Sequence, residues 1–202
     1  MGRDQKKMKD GTTAVFLDES GYSLMPFITH TWALEGTYPD TYHSGGGWQK
    51  LSVISGVAVD FRDEELNTNV FYRTYPGQTI TQKEVVAFLR QVSNQIDGDV
   101  IFIMDNLRSH RSRYVKKFVE KRDDMDIEFL PPYSPDMNPD EGVWNWSKCK
   151  DLVNVCSMNA KMMLKNVRGS LRRLKFRKNV HRWCLNESIL DFNSLYKLCG
   201  GV

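Results

Sequence analysis

The chain has 202 residues and a net charge of +3, with 41% hydrophobic and 26% charged residues. This length suffices for one sizeable domain, and the composition is that of an ordinary globular protein. No apolar run approaches the roughly 18 to 20 residues of a membrane span, which argues against a membrane protein. The first residues, MGRDQKKMKDGTT, lack the apolar segment of a signal peptide.

Four widely spaced cysteines favour an intracellular, reducing compartment, because they form no CxxC pair and support neither a zinc site nor a disulfide framework. They are Cys149, Cys156, Cys184 and Cys199. Charge is distributed unevenly: residues 1–145 contain 16 Lys and Arg against 22 Asp and Glu, and residues 146–202 contain 12 against 3. The basic C-terminal part is either a solvated helix face or a surface for a polyanion.

The first half of the chain reads as strands. TTAVFLDE (12–19) predicts a strand, and residues 20–36 predict a hairpin with an irregular strand. The segment from 36 to 47 contains three consecutive glycines and predicts a flexible loop. KLSVISGVAVDF (50–61) and NVFYRTYPG (69–77) predict two further strands.

After residue 80 the hydrophobic period changes to that of helices. Thr81 and Glu84 form a predicted capping box for a helix that Gly98 ends. The elements expected after it are a buried strand at 99–106, a helix at 109–122, a strand at 126–130, a helix from Pro139 to Lys150, and a basic helical region at 159–185. The residues expected to face inward are Tyr114, Val115, Phe118 and Val119 in the helix at 109–122, and Met163, Val167, Leu171 and Leu174 in the basic region. This order predicts an α/β fold with a mixed sheet and helices on its faces.

Three acids occupy the ends of these predicted elements. Asp18 closes the first strand, Asp105 closes the central apolar strand, and Glu141 opens the helix after NPD. Carboxylates at strand ends point into the crevice where ligands bind, and an all-oxygen set suits Mg²⁺ or Mn²⁺. Two such ions roughly 3.5 to 4 Å apart can stabilise both oxygens of a phosphodiester displacement.

Each acid also has a simpler interpretation. Asp18 and Asp105, taken singly, could merely end strands. NPDE is by itself a well-formed helix start, with Asn138 as N-cap, Pro139 at the first position, and Asp140 and Glu141 complementing the helix dipole.

Five motifs occur together in order: FLDESGYSLMP (16–26), TWALEG (31–36), LSVISGVAV (51–59), DNLRSH (105–110) and LPPYSPDMNPDEGVW (130–144). In this combination residues 12–150 resemble the catalytic domain of DDE transposases, in the bacterial insertion-sequence branch of the mariner superfamily. The resemblance implies an RNase H-like fold with a mixed five-stranded sheet. It also implies a lead at 1–11, a catalytic domain at 12–150 and a basic helical extension at 151–202.

The same resemblance implies the chemistry. Asp18, Asp105 and Glu141 match the catalytic, metal-binding acids, with 35 residues between the last two. The family uses two Mg²⁺ or Mn²⁺ ions to cut DNA at transposon ends and to join the freed 3′-OH to target DNA, usually at TA. Asn106 and His110 match supporting positions, where the histidine would orient the strand end or touch a phosphate.

Basic residues near these motifs are the expected DNA contacts. They are Arg108, Arg111, Arg113, Lys148, Lys150, Arg168, Arg172 and Arg173. The expected partners are double-stranded terminal inverted repeats, target DNA, a second copy in a synaptic dimer, and a separate N-terminal recognition polypeptide. The expected location is the cytoplasm and nucleoid of a prokaryote.

Two departures from the family pattern stand out. Asp140 occupies a usually apolar position, and only 17 residues precede Asp18, where family members normally carry helix-turn-helix domains. The expectation is therefore a catalytic fragment, the second product of a split reading frame or a truncated copy, with end recognition supplied from elsewhere. A DNA-binding or self-associating remnant without activity, and another RNase H-like nuclease, therefore remain alternative functions. Trp32, Trp144 and Trp146 are interpreted as core or groove-wall residues rather than as base-stacking ones.

Overall fold

A mixed five-stranded sheet forms the centre of the computed structural model, which describes residues 12–30, 32–37, 49–62 and 66–198. The strands are β1 (Thr13–Ser23), β2 (Lys50–Asp60), β3 (Asn67–Pro76), β4 (Val100–Met104) and β5 (Met125–Phe129). Their spatial order is β3-β2-β1-β4-β5. The first three pair antiparallel, whereas β1, β4 and β5 run parallel. The predicted α/β fold with a mixed five-stranded sheet is confirmed.

Helices cover both faces of this sheet. They are α1 (Gln82–Ser93), α2 (Arg113–Val119), α3 (Asp140–Trp146), α4 (Ala160–Lys175), α5 (Lys178–Glu187) and α6 (Phe192–Leu198). The first two pack on one face, and α3 to α6 contribute buried residues to the core on the other. A 3₁₀ turn (Pro135–Met137) precedes α3, and a π-helical turn (Ser147–Asp151) follows it.

The side chains of β1 point alternately to the two faces of the sheet, which fixes the directions of its polar residues. Phe16 packs in the core under α3 to α6, whereas Leu17 packs in the core under α1 and α2. Because side chains alternate along a strand, Asp18 follows the Phe16 face and Glu19 follows the Leu17 face. Phe16 pairs with Ile103 in the parallel ladder, so Asp18 and Asp105 emerge at the same sheet edge.

The helices lie in the predicted parts of the chain, but some of their first and last residues differ from the prediction. The capping box of Thr81 and Glu84 forms as predicted. The helix that it starts ends at Ser93, because Asn94 caps it several residues before Gly98. The second helix begins only at Arg113, with Ser112 as its N-cap. The Tyr114 side chain is 49% exposed, so the inward prediction is wrong for this residue.

The segment between the first two strands differs from the prediction. Instead of a hairpin, β1 continues to Ser23, and Phe27 forms only an isolated bridge with Val153. Trp32 is fully exposed, which contradicts its interpretation as a core or groove-wall residue. The predicted lead at 1–11, most of the glycine loop and Cys199 lie outside the described residues.

The basic region after residue 159 is built into the fold. Met163, Val167, Leu171 and Leu174 are buried as predicted, and they share one core with the face of the sheet that carries Phe16. Among the described residues, none of the helices has the length and apolar character needed to cross a membrane.

Candidate active site

The three acids predicted to form a site lie around one edge of the sheet. Asp18 lies in the middle of β1, two residues beyond its last pair with β4, so the prediction that it closes the strand is wrong. Asp105 directly follows β4, and Glu141 is in the first turn of α3. Asp18 is largely buried, the side chain of Asp105 is 44% exposed, and Glu141 is exposed. Two neighbouring parallel strands and a helix start therefore supply the acids to one crevice, which is where ligands gather in sheets of this kind.

Burial raises the pKa of two of these carboxyls, and neighbouring acids raise that of Asp18 further. Burial, followed by the negative charge of Glu141, raises the pKa of Asp18 to about 7, and Asp105 adds a smaller effect. The indole Nε1 of Trp144 opposes this by donating to Asp18 Oδ2 at 2.9 Å. Burial also raises the pKa of Glu141, against the attraction of Lys148. The crevice therefore disfavours its own negative charge.

His110 connects Asp105 to a fourth carboxylate. Its ring is completely buried, with Nδ1 2.7 Å from Asp105 Oδ1 and Nε2 3.1 Å from Glu19 Oε1. Burial lowers the pKa of His110, but the bonds to these two carboxylates outweigh it and raise the value to about 9. Both ring nitrogens then donate, and neither is left for a phosphate. Burial raises the pKa of Asp105, but the bonds from His110 and Leu107 N give a net lowering.

Two asparagines fix the proline-rich segment that leads to Glu141. Asn106 Nδ2 donates to Leu130 O at 2.7 Å, at the start of the segment. Asn138 Nδ2 donates to Leu17 O at 3.3 Å, next to Asp18. Asn138 Oδ1 accepts from Asp140 N at 3.1 Å, so its side chain makes the predicted capping bond although the helix is assigned from Asp140. The start of α3 is thereby tied to both strands that carry acids.

Asp140 points away from the crevice opening. Its side chain is completely buried, and Ser55 Oγ donates to its Oδ2 at 2.6 Å. Burial, followed by the charge of Asp18, raises the pKa of Asp140 well above its usual range. A fully enclosed carboxyl whose charged form is disfavoured by burial is unsuited to bind an ion from solvent, so Asp140 does not compete with Glu141 for that role.

Lys148 brings a positive charge to the same crevice. It lies in the π-helical turn after α3, and its Nζ donates to Ser20 Oγ at 2.5 Å. The ammonium group lies 5.3 Å from the ring centroid of Tyr22 and 5.4 Å from that of Phe27. Burial lowers the pKa of Lys148, and the charges of Glu141 and Asp18 oppose this. The turn thus directs one predicted DNA contact toward the acids.

The other predicted DNA contacts lie outside this cluster. Exposed side chains are those of Arg108, Arg111, Arg113, Lys150, Arg168, Arg172 and Arg173. Arg168 Nε donates to Thr74 Oγ1 at 3.0 Å, and Arg173 forms an ion pair with Asp151 at 3.1 Å. The arginine of this ion pair is therefore less available to a phosphate than the neighbouring basic groups of α4.

Donor chemistry in the crevice suits a divalent cation. Within the described residues, no three His, Cys, Asp or Glu side chains already converge as a complete metal centre. Asp18, whose pKa is raised by burial and by the charges of Glu141 and Asp105, would nevertheless be stabilised as a carboxylate by a cation. Carboxylate oxygens are the ligands of Mg²⁺ and Mn²⁺. Magnesium ions commonly use one or two carboxylates together with substrate phosphates. The residues Asp18, Asp105 and Glu141 therefore fit such an ion.

The sequence patterns did not indicate several residues that lie at the site. Glu19 and Ser20 directly follow Asp18 in LDES, and strand alternation could have indicated Glu19 as a residue facing the DNxxxH motif. Trp144 follows Glu141 by three residues and was interpreted as a wall, whereas its indole also binds Asp18. Ser55 gave no signal, because its partner Asp140 is distant in sequence.

Solved structures of mariner transposase share this fold. The Mos1 mariner paired end complex with Mn is 17% identical with a TM-score of 0.61, over 92% of this chain and 54% of that chain. The Mos1 paired-end complex with left transposon end is 17% identical with a TM-score of 0.60, over 96% of this chain and 55% of that chain. The Mos1 Strand Transfer Complex is 19% identical with a TM-score of 0.55, over 90% of this chain and 54% of that chain. The chain spans about half the length of these relatives, and the likeness establishes an RNase H-like fold.

A family assignment comes from the sequence itself. No curated protein matches the chain. Residues 13–154, well over half of the sequence, match the family described as DDE superfamily endonuclease. The segment begins with β1 and ends just after the π-helical turn, so it includes all three candidate acids. This protein belongs to the DDE superfamily endonucleases.

Proposed function

We propose that this chain is the catalytic domain of a DNA transposase of the bacterial insertion-sequence type. It would cleave DNA at transposon ends and transfer the freed 3′-OH into target DNA. The observation that supports this proposal is the environment of Asp18: burial, followed by the charge of Glu141 and a smaller effect of Asp105, raises its pKa to about 7. A carboxyl perturbed by burial and by neighbouring acids is typical of a functional site.

The three acids would hold two ions of Mg²⁺ or Mn²⁺. When bound, these ions would stabilise charge on the attacking and leaving oxygens of a phosphodiester. His110 would keep the Asp105 carboxylate ionised and fixed, through the 2.7 Å bond to Oδ1. Trp144 would fix Asp18 from the opposite side by its bond to Oδ2. These partners orient the ligands, as outer-shell groups of metal sites commonly do.

Double-stranded DNA would be the substrate, both as terminal inverted repeats and as target. Lys148 would meet a phosphate at the acids; this is supported by its ammonium group, which lies beside Ser20, two residues after Asp18. Exposed arginines after β4 and on α4 would add contacts to the backbone of the duplex. We further propose that two copies act together on paired ends.

Nicking of supercoiled plasmid DNA tests this proposal. We expect nicking in Mn²⁺ or Mg²⁺, and its loss in Asp105→Asn and in Glu141→Gln with unfolding midpoints that show an intact fold. Asp136→Asn is the matched control, since this exposed acid lies in the same segment as Glu141. Equal nicking in EDTA, or full activity of Glu141→Gln, would overturn the proposed mechanism.

Substrate choice separates the proposal from its alternatives. A transposase domain should join a labelled 3′-OH end to a second DNA molecule, whereas a simple nuclease should only cut. An inactive remnant would bind duplex DNA without cutting it in any divalent metal. Preferential cleavage of the RNA strand in an RNA–DNA hybrid would instead indicate an RNase H activity.

A further inference from the structure

The helix α3, whose first turn carries the candidate acid Glu141, is crossed at very close range by α5. A Cβ atom added to Gly142 would lie 2.9 Å from both Cα and Cβ of Cys184 and 3.0 Å from its Sγ. Ordinary van der Waals contact begins at about 3.4 Å, so any larger residue would force the two helices apart. Only glycine fits this crossing, and it directly follows Glu141 in the chain.

Two further contacts hold the same pair of segments together. One turn after Gly142, the ring of Trp146 packs edge-on against that of Trp183, with centroids 5.8 Å apart. Just after α5, Ile189 N donates to Asp136 O at 2.9 Å, in the 3₁₀ turn before α3. The helix α5 and the residues just after it thus contact the segment around Glu141 before, within and after the first turn of α3.

The helix α5 is itself held in place by contacts with other elements, so it cannot easily move away from α3. His181, completely buried on this helix, has Nδ1 3.1 Å from Thr68 Oγ1 on β3 and Nε2 3.0 Å from Leu174 O on α4. Burial lowers the pKa of His181, which keeps the ring neutral. The same helix contributes Val180 and Leu185 to the core under the sheet.

We infer that α5 acts as a brace that sets the position of Glu141, with Gly142 as the positioning residue. This inference rests on the proposed role of Glu141 as a metal ligand. The brace lies beyond residue 154, where the match to the endonuclease family ends. Relieving the contact from 2.9 to 3.4 Å requires a shift of about 0.5 Å, which is the tolerance of a catalytic constellation.

Gly142→Ala tests the brace, with Gly169→Ala as the matched control. In the control a Cβ would meet only the end of the Arg173 side chain, at 3.4 Å. We expect Gly142→Ala to bind Mn²⁺ about tenfold more weakly by calorimetry without DNA, and to need correspondingly more Mn²⁺ for nicking. The control should match the wild type in both measurements. A folded Gly142→Ala protein with wild-type Mn²⁺ affinity would overturn the inference.

A second variant approaches the same contact from the other helix. Cys184→Val adds branched carbons against Gly142 and leaves α3 itself unchanged, so it serves if Gly142→Ala does not fold. It should weaken Mn²⁺ binding in the same direction, and unchanged affinity would count against the brace. If Glu141→Gln loses Mn²⁺ binding while both brace variants keep it, only this inference fails. If the wild type binds no Mn²⁺, the proposed function fails with it.

Discussion

Replacing Asp18 by asparagine should stabilise the metal-free protein, although it removes one of the candidate catalytic acids. The folded-state pKa of this carboxyl is about 7, against 3.8 in its ordinary state. A raised carboxyl pKa means that the folded state binds the proton more tightly than the unfolded state. The contribution of this group to stability is therefore favourable at low pH and is lost as pH rises from about 4 to about 7.

The upper limit of the effect follows from the shift. A change from 3.8 to about 7 corresponds to about 4 kcal/mol of lost stability above pH 7. Asparagine keeps an oxygen that can accept from Trp144 but adds an amide donor in a largely buried place, so we expect a gain of roughly 2 kcal/mol at pH 8. In a chain of this length such a gain raises the unfolding midpoint by roughly 4 to 8 °C.

Urea unfolding in EDTA at pH 4.5 and pH 8 measures this gain. Asp18→Asn should exceed the wild type clearly at pH 8 and only slightly at pH 4.5. Asp105→Asn should behave in the opposite way and lose stability at pH 8, because His110 is buried against that carboxylate. A gain for Asp18→Asn that is independent of pH, or a loss at pH 8, would refute the reasoning from burial and carboxylate repulsion.

Three other changes test separate parts of the molecule. His110→Gln should lower nicking and raise the Mn²⁺ concentration that nicking requires, and Glu19→Gln should have the same effects to a smaller extent. Equal activity of both variants and the wild type would argue against a role of His110 in positioning Asp105. Arg168→Glu combined with Arg172→Glu should weaken duplex binding and reduce the slope of log affinity against log salt by about two, measured by fluorescence anisotropy. Thr81→Ala should lower the free energy of unfolding by about 1 kcal/mol in urea, through loss of the capping box.

Local patterns were sufficient to predict most elements. The capping box of Thr81 and Glu84 needs only neighbouring residues, so its prediction was correct. The same holds for the inward stripe of Met163 and Leu171 on α4, which follows from helical spacing alone. The segment after Gly21 was mispredicted, because its strand is extended by pairing with the distant β2 rather than by local preference.

The sequence by itself determined the kind of fold, the order of the acids and the rigid helix start before Glu141, because periodicity, caps and prolines act over a few residues. Only the tertiary structure decided which carboxyls share an environment, since burial and long-range charge depend on packing. It gave the two neighbouring acids different environments, since Asp140 is buried and bonded to Ser55 whereas Glu141 is exposed at the crevice. It also brought His110 within 3.1 Å of Glu19 and set α5 against Gly142, because both contacts depend on packing between segments that are distant in the chain.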